Sequence, residues 1–556
     1  MPRFPSRPQG RTLTSRAVAG LLLSASPAWA EASPDTDART AHADTSHADD
    51  SHAGASRVDA RPLRLMPSAA PAPTRLRVHG VTVLDAEDLA RRWETRLDGD
   101  ASTAAVDAAL RGIESEIRAA GRPFARAYLP PQDGAAAPRT LHVAVAEGRY
   151  GRVGLTGDAA PRAGRWFDAL RTGDPIDDVF ERQLRLVSQL PGVSARATLS
   201  PGEAIGEGAV EVDVHQARRW QAEIEADNHG NRYAGRHRAQ ATVHANGLLV
   251  FGDRLSLSAG GNDGRGWQGA AAYRLPVGVR GTRLSLTGGH HQYALGGEFK
   301  PLQARGWVDT AGASFSVPLV TTPTTSVGWQ FGVEGRRIVN RQDAVELRDR
   351  RQAVAVKTGL SGVVRGEGWV AWGGVSGEAA TLRLLDDDAR RFDAASARVA
   401  GESLVLSSEL ALLKGWGAWS MLLRGASQLS DRNVDASRKF VLGGPGSVRA
   451  WPTGETSGDQ GALLQGELRY RAGAAEPFAF LDAGRVKFHH SAWEAAGRKH
   501  PGRGLAGAGL GVRWQHGGWH AEASAAWRLA PQTLRRSLAD PRAKAPQVWV
   551  SLGYAL

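Results

Sequence analysis

The stretch WHAEASAAWRL, residues 519–529, puts Trp519, Ala521, Ala523, Ala525, Trp527 and Leu529 on one face of an extended chain. His520, Glu522, Ser524 and Arg528 take the other face, because successive side chains of a strand point to opposite sides. The same alternation sets Trp220, Ala222, Ile224 and Ala226 against Gln221, Glu223, Glu225 and Asp227. A soluble sandwich also alternates, but apolar faces bounded by Trp or Tyr match the aromatic girdles of two membrane interfaces. Segments of about ten residues have the length a tilted strand needs to cross a bilayer. They begin near residues 219, 237, 253, 267, 282, 308, 325, 353, 367, 396, 417, 462, 477, 505, 519 and 547. The predicted fold class is membrane all-β: a transmembrane β-barrel of about 16 strands over residues 217–556, an even number as in bacterial outer-membrane barrels.

The rest of the composition agrees. The chain has 556 residues, 67 of them Gly, no Cys and a formal net charge of +12. No run of about 18 apolar residues occurs, which excludes a bundle of transmembrane helices but not strands, whose hydropathy averages out. Lys and Arg are spread thinly with no basic helix, so no nucleic-acid partner is expected. Without cysteine there are no disulfides and no thiol chemistry.

Residues 1–30 read as a signal peptide: Arg3, Arg7, Arg11 and Arg16, then the apolar Ala17–Leu23, then Ala28-Trp29-Ala30 as a cleavage motif. Residues 31–74 read as a disordered linker with nothing apolar to bury. Its His42, His47 and His52 fit a solvated tether better than a metal site. Two β-α-α-β-β units follow, over 75–148 and 149–216. In the first, Val106, Leu110, Ile113 and Ile117 make a helical apolar face closed by Gly121; in the second, a helix is expected to open at Asp174-Pro175 and to bury Phe180, Leu184, Val187 and Leu190. Each unit would bury its helices on a small sheet.

An even strand count returns the chain end to the side of these units, and connections after odd strands lie outside. The long connection between predicted strands 11 and 12 holds GGPGSVRAWPTGETSGDQG, residues 443–461. Its Arg449 is suited to a phosphate, to a solvated surface, or to a carboxylate inside the barrel. Phe480-Leu481-Asp482-Ala483-Gly484 on predicted strand 13 supplies such a carboxylate, since Phe480, Asp482 and Gly484 share a face. That face is the lumen if Leu481 and Ala483 meet lipid. A guanidinium grips a carboxylate through two parallel bonds, and Gly484 is expected to leave room for its approach. Breaking a desolvated pair costs about 3–5 kcal/mol, which a wet lumen would screen to about half.

These motifs resemble those of TpsB-type two-partner secretion transporters, the haemolysin and filamentous-haemagglutinin exporter family within the BamA superfamily. RAYLPPQDGAAAPRTLHVAVAEGRYG and LRLVSQLPGVSARATLSPG look like the first and second periplasmic POTRA domains of that family, with Arg139 where Gly is frequent. GGPGSVRAW resembles its V-R-G-[FY] pore-loop motif, with Ala450 for Gly and Trp451 for the aromatic; F-x-D-x-G is the wall motif. GDQGALLQGELRYR and the final QVWVSLGYAL, with Tyr554 and Leu556 on one face and Leu556 where Phe is commoner, are similar as well. The resemblance implies a loop folded into the pore, with Val448, Arg449, Ala450 and Trp451 as latch and Phe480, Asp482 and Gly484 as wall partner. It implies export of an unfolded, TpsA-like secreted protein, captured by the POTRA domains in the periplasm and passed without ATP. Outer-membrane lipid and, during biogenesis, the barrel assembly machinery are the other implied partners. The alternative is a BamA-like assembly factor; a passive porin would leave the POTRA-like units without a role.

No enzyme is expected. Gly502, Gly504 and Gly507 match G-x-G-x-x-G, but a strand follows where a dinucleotide site needs a helix. His290-His291 and His489-His490 sit at strand ends with side chains pointing apart, so no metal and no cofactor is expected.

Overall fold

In a computed structural model, residues 75–97, 102–132, 140–204, 206–493, 501–529 and 536–556 are described. The expected signal peptide and linker, residues 1–74, lie outside them. The described chain forms two compact units that divide after Arg218.

The N-terminal unit contains two α+β repeats. In the first, β1 (Arg75–His79) leads to helices Ala86–Leu97 and Thr103–Ala119, then β2 (Arg126–Tyr128) and β3 (Thr140–Ala146). β1 runs parallel to β3 and β2 antiparallel to it, giving the order β1-β3-β2. Leu89, Ile113 and Ile117 of the helices bury against Leu76, Val78, Val143 and Val145 of the sheet. Ser102 caps the second helix through the Ala105 N–H at 3.2 Å, satisfying an amide that has no intrahelical partner. The second repeat has β4 (Arg149–Thr156), helices Ala160–Phe167 and Asp178–Ser188, β5 (Val193–Pro201) and β6 (Glu207–Gln216), in the order β4-β6-β5.

One helix start differs from the expectation. Asp174 and Pro175 do not open the second helix: the Asp174 carbonyl accepts from Tyr150 N at 2.9 Å and Pro175 bridges to Arg149. Both residues are thus drawn onto β4 in extended form. The cap is Asp177, whose carboxylate takes the Val179 N–H at 3.1 Å. The buried face is Phe180, Gln183, Leu186, Val187 and Leu190, with Leu184 only partly covered.

From Arg219 on the chain is a closed antiparallel barrel of 16 strands, as the alternation predicts. They are β7 (Trp220–Asp227), β8 (Arg238–Asn246), β9 (Arg254–Asn262), β10 (Trp267–Val277), β11 (Thr282–Ala294), β12 (Ala304–Thr321), β13 (Thr325–Gln342) and β14 (Leu347–Gly366). Then come β15 (Trp369–Leu384), β16 (Gly401–Trp416) and β17 (Trp419–Ser430). A small ribbon of β18 (Phe440–Leu442) and β19 (Thr456–Gly458) follows, then β20 (Gln460–Tyr470), β21 (Ala475–Lys487), β22 (Gly502–His516), β23 (Trp519–Arg528) and β24 (Gln547–Ala555). Apolar side chains such as Leu410, Leu464, Leu481 and Leu510 face outward and are exposed, as a lipid-facing belt requires. Ring pairs Trp419–Tyr470 and Trp519–Tyr554 stand 4.9 and 4.7 Å apart where strands end on the side of residue 219.

The middle strands are longer than about ten residues. β12 to β16 run to between 16 and 20 residues, because their outer halves continue past the bilayer with charges on both faces, as at Arg336, Arg337, Arg350 and Arg351. This moves two starts forward, from 308 to Ala304 and from 353 to Leu347. β16 starts later than 396, at Gly401, because the buried Asp393 carboxylate takes the N–H groups of Val399 and Ala400 at 2.8 and 3.1 Å. Closure is least extensive between the last strand and the first: Ser551–Ala555 of β24 pair with Glu223–Asp227 of β7.

Candidate functional site

The connection from β17 to β20 folds into the barrel rather than away from it. Gly443 and Gly444 turn it, with φ +99° and +107°, a region that a residue with a Cβ rarely adopts. A Cβ on Gly443 would lie 2.3 Å from the Pro452 carbonyl. Gly444 N donates to Trp451 O at 2.9 Å and Trp451 N to Val448 O at 3.1 Å, so Val448-Arg449-Ala450-Trp451 form the tip of a compact turn. Ala450, standing where the resembling motif has Gly, is not among the positive-φ residues. Its methyl sits where a Cβ on Gly507 would be, 2.3 Å away.

Arg449 is 3% exposed and Asp482 0%. The guanidinium donates Nε to Asp482 Oδ2 at 2.8 Å and Nη2 to Oδ1 at 2.6 Å, and the Arg449 backbone N–H adds a third bond to Oδ2 at 3.0 Å. Nη1 bonds a second buried carboxylate, Glu467 of β20. The Phe480 ring lies under the guanidinium, 3.6 Å from its central carbon. Arg513 of β22 links Glu467 onward to Glu476 and Glu522, so the cation and carboxylates form one satisfied network. Trp549 Nε1 donates to Arg449 O at 2.7 Å, Arg528 Nε to Ala450 O at 3.1 Å and Trp451 Nε1 to Ala506 O at 3.1 Å. The predicted residues Val448, Arg449, Ala450, Trp451, Phe480 and Asp482 therefore meet at one place. Val448, Ala450, Trp451 and Phe480 belong to one buried apolar cluster with Leu442, Phe478, Val486, Leu505 and Ala526.

Two expectations need correction. Gly484 does not make room for the arginine: the group a Cβ would strike there is Leu442, at 2.8 Å. The lumen at this point is not wet, since both partners are desolvated, and the full cost of breaking a buried pair applies. The G-x-G-x-x-G glycines lie at the start of a strand, as expected, and the glycines of β22 serve packing. Gly507, Gly509 and Gly511 share the inner face opposite the exposed Leu510 and Val512. A Cβ on Gly509 would lie 2.4 Å from Phe480 and one on Gly511 2.3 Å from Phe478. They form a lane into which the two rings and the turn tip press.

Residues not foreseen from sequence hold the same loop. Glu455, 3% exposed, accepts Leu538 N–H at 2.8 Å, bonds the Ser537 hydroxyl and pairs with Arg503 at 2.8 Å. Asp435 pairs with Arg351 of β14, Arg438 with Glu378 of β15, and Lys439 with the buried Asp459. Alternation already places Glu467 on the inner face two residues from Gln465; the others depend on how distant connections fold over the loop. Among the described residues no group of three or more His, Asp or Glu could hold a metal.

The comparisons with known proteins agree in kind. A family model described as haemolysin secretion/activation protein ShlB/FhaC/HecB matches residues 206–514. The heme/hemopexin transporter protein HuxB of Haemophilus influenzae is 27% identical over 359 residues, 62% of this chain and 62% of that protein. The match therefore spans somewhat less than two thirds of the relative's own length. The solved structure of CdiB from Escherichia coli superposes with a TM-score of 0.71 at 18% identity, over 90% of this chain and 93% of that one. CdiB from Acinetobacter baumannii gives 0.65 at 15% identity, over 88% and 91%. These structures show the shared fold.

Proposed function

The chain belongs to the haemolysin secretion/activation protein ShlB/FhaC/HecB family, and from that premise we propose that it exports one unfolded secreted partner protein across the outer membrane. It is an outer-membrane β-barrel whose small N-terminal domains lie in the periplasm. The observation that carries the proposal is the loop held in the lumen by Arg449 on Asp482 and Glu467. A solute pore needs no such obstruction. A conduit that admits an occasional chain needs a stopper that is stable at rest and released as a unit. A buried, fully bonded ionic latch has that property: it holds while both partners are in place and loses several kcal/mol when either is withdrawn.

Capture in the periplasm uses the small sheets. The orders β1-β3-β2 and β4-β6-β5 leave β1, β2, β4 and β5 with an open edge. Edge-strand addition binds an extended chain through its backbone, so a long cargo of varied sequence is accepted. With nucleotide hydrolysis assigned no part, folding of the cargo outside supplies the direction. The test is a comparison of secreted proteins between cells with and without the chain, and with Arg449→Ala. Loss of one large exoprotein from the medium, with the barrel still in the membrane, supports export. An unchanged medium with several other barrels missing from the outer membrane overturns it in favour of an assembly factor.

A further inference from the structure

The turn between β8 and β9, Gly247–Asp253, reads GLLVFGD. It lies on the periplasmic rim, where Asn246 N donates to Arg219 O at 2.8 Å as the chain enters the barrel. The other described turns on this rim are short and polar or glycine-rich, such as Glu367-Gly368, Gly417-Ala418 and Gly517-Gly518. This one carries Leu248, Leu249, Val250 and Phe251, and Leu249 is 78% exposed.

The turn is rigid. The Asp253 carboxylate, 0% exposed, accepts the N–H groups of Leu248, Leu249 and Val250 at 2.7, 2.8 and 2.9 Å and the Tyr273 hydroxyl at 2.6 Å. Gly247 N closes the base on Asp253 O at 2.9 Å. An exposed leucine on a mobile loop needs no explanation; one fixed by a buried carboxylate that gathers four donors is held out for contact.

The register shows which side it faces. Tyr273 pairs with Leu255, and Leu257 with Val243 and Ala271. Val243 and Leu257 are exposed apolar residues of the lipid belt, and Leu255 and Tyr273 share their face. His244 and Ser256, one residue along, bond each other at 2.8 Å on the inner face. The Tyr273 hydroxyl therefore reaches Asp253 from the lipid side, and the turn is drawn to that side. On the outer face β8 and β9 reach the rim with Ala245 and Leu255, whereas β7 has Trp220 and β24 has Tyr554 there. The apolar turn fills the gap in the aromatic girdle.

We propose that Gly247–Asp253 is a lipid anchor whose Leu249 seats in the periplasmic leaflet of the outer membrane. Continuity with the lipid-facing belt selects lipid over a protein partner. The anchor fixes β8, which adjoins the first strand of the seam, and β9 beside it, whatever the barrel conducts.

Because the chain has no native cysteine, an environment-sensitive fluorophore on Leu249→Cys is the only label. The full chain is placed in nanodiscs of phosphatidylcholine and phosphatidylglycerol, where iodide reaches both faces, with Gly473→Cys on the β20–β21 turn as control. The expected result is blue-shifted emission at 249, loss of iodide quenching relative to 473, and quenching by acyl-chain spin-labelled lipid. Asp253→Ala should restore part of the iodide quenching. Equal iodide quenching at 249 and 473 overturns the proposal. So does protection at 249 that appears only in native membranes containing an exported protein, which would assign the turn to a protein partner.

Discussion

Replacing Asp482 by Asn removes one charge from the latch and leaves its shape. Arg449 donates three bonds to that carboxylate, two from the guanidinium and one from its backbone. At 3% and 0% exposure neither partner has water to fall back on. Withdrawing one partner from a buried pair costs about 3–5 kcal/mol; Glu467 remains on Nη1, so the lower end of that range applies. Since about 1.4 kcal/mol is tenfold in an equilibrium, the loop should be released about a hundredfold more often. A single thiol reports it: Val448→Cys is buried in the closed loop, Val448 being 0% exposed, and the chain has no other cysteine. When reclosing is fast, the rate of maleimide labelling follows the open population, so Asp482→Asn should raise it about a hundredfold. Adding Arg449→Ala should raise it by less than the product of the two single effects, because contacting residues are coupled. A rate within about twofold of the parent would show that the apolar cluster, not the ionic bonds, holds the loop.

The glycine lane makes a second prediction. Gly511→Ala or Gly509→Ala, by pressing a methyl into Phe478 or Phe480, should destabilise the barrel by about 1–3 kcal/mol, seen as a lower temperature of the heat-induced gel shift. Gly164→Ala on helix Ala160–Phe167 meets nothing within 4 Å and should instead stabilise its unit by about 0.4–1 kcal/mol. A third concerns pH. Burial alone would raise the Glu147 carboxyl, but the Thr82 hydroxyl and N–H, with Val83 N–H and Arg122, outweigh it and hold the group below its ordinary 4.5. The stability it contributes is present above that value and lost as pH falls through the lower folded one. The protection factors of amides in β1 and β3, exchange rates corrected for their intrinsic pH dependence, should therefore fall on acidification, and Glu147→Gln should flatten that response.

Period-two alternation was enough to place strands such as β10, β11, β13 and β23 at their first residue, because lipid on one side and water on the other impose opposite side chains. It failed where that contrast ends. The outer end of β12 packs against Tyr293 and Phe299 rather than lipid, and that of β14 stands in water, so Ala304 and Leu347 carry no signal of a strand beginning. Arg449 and Asp482 were legible as a pair from motif and parity. Their burial was not, because it is set by Trp549, Arg528 and the segment around Ser537 folding across from far along the chain. Gly484 misled because a residue with no side chain does not declare what it makes room for: it accommodates Leu442, as Gly507 accommodates Ala450.

The unequal strands have a consequence for the membrane itself. β7, β8 and β9 have 8, 9 and 9 residues, whereas β12, β13 and β14 have 18, 18 and 20. At about 3.3 Å per residue and a tilt of about 40°, the short strands rise only about 20–23 Å. That is less than the apolar band of about 25 Å that outer-membrane barrels present. Lipid beside the closing seam must compress to meet them, at a fraction of a kcal/mol for each ångström of hydrophobic mismatch. Part of the energy that bears on the stability of this seam is thus elastic and held in the bilayer, so acyl-chain length influences it in a way that no residue of the protein encodes.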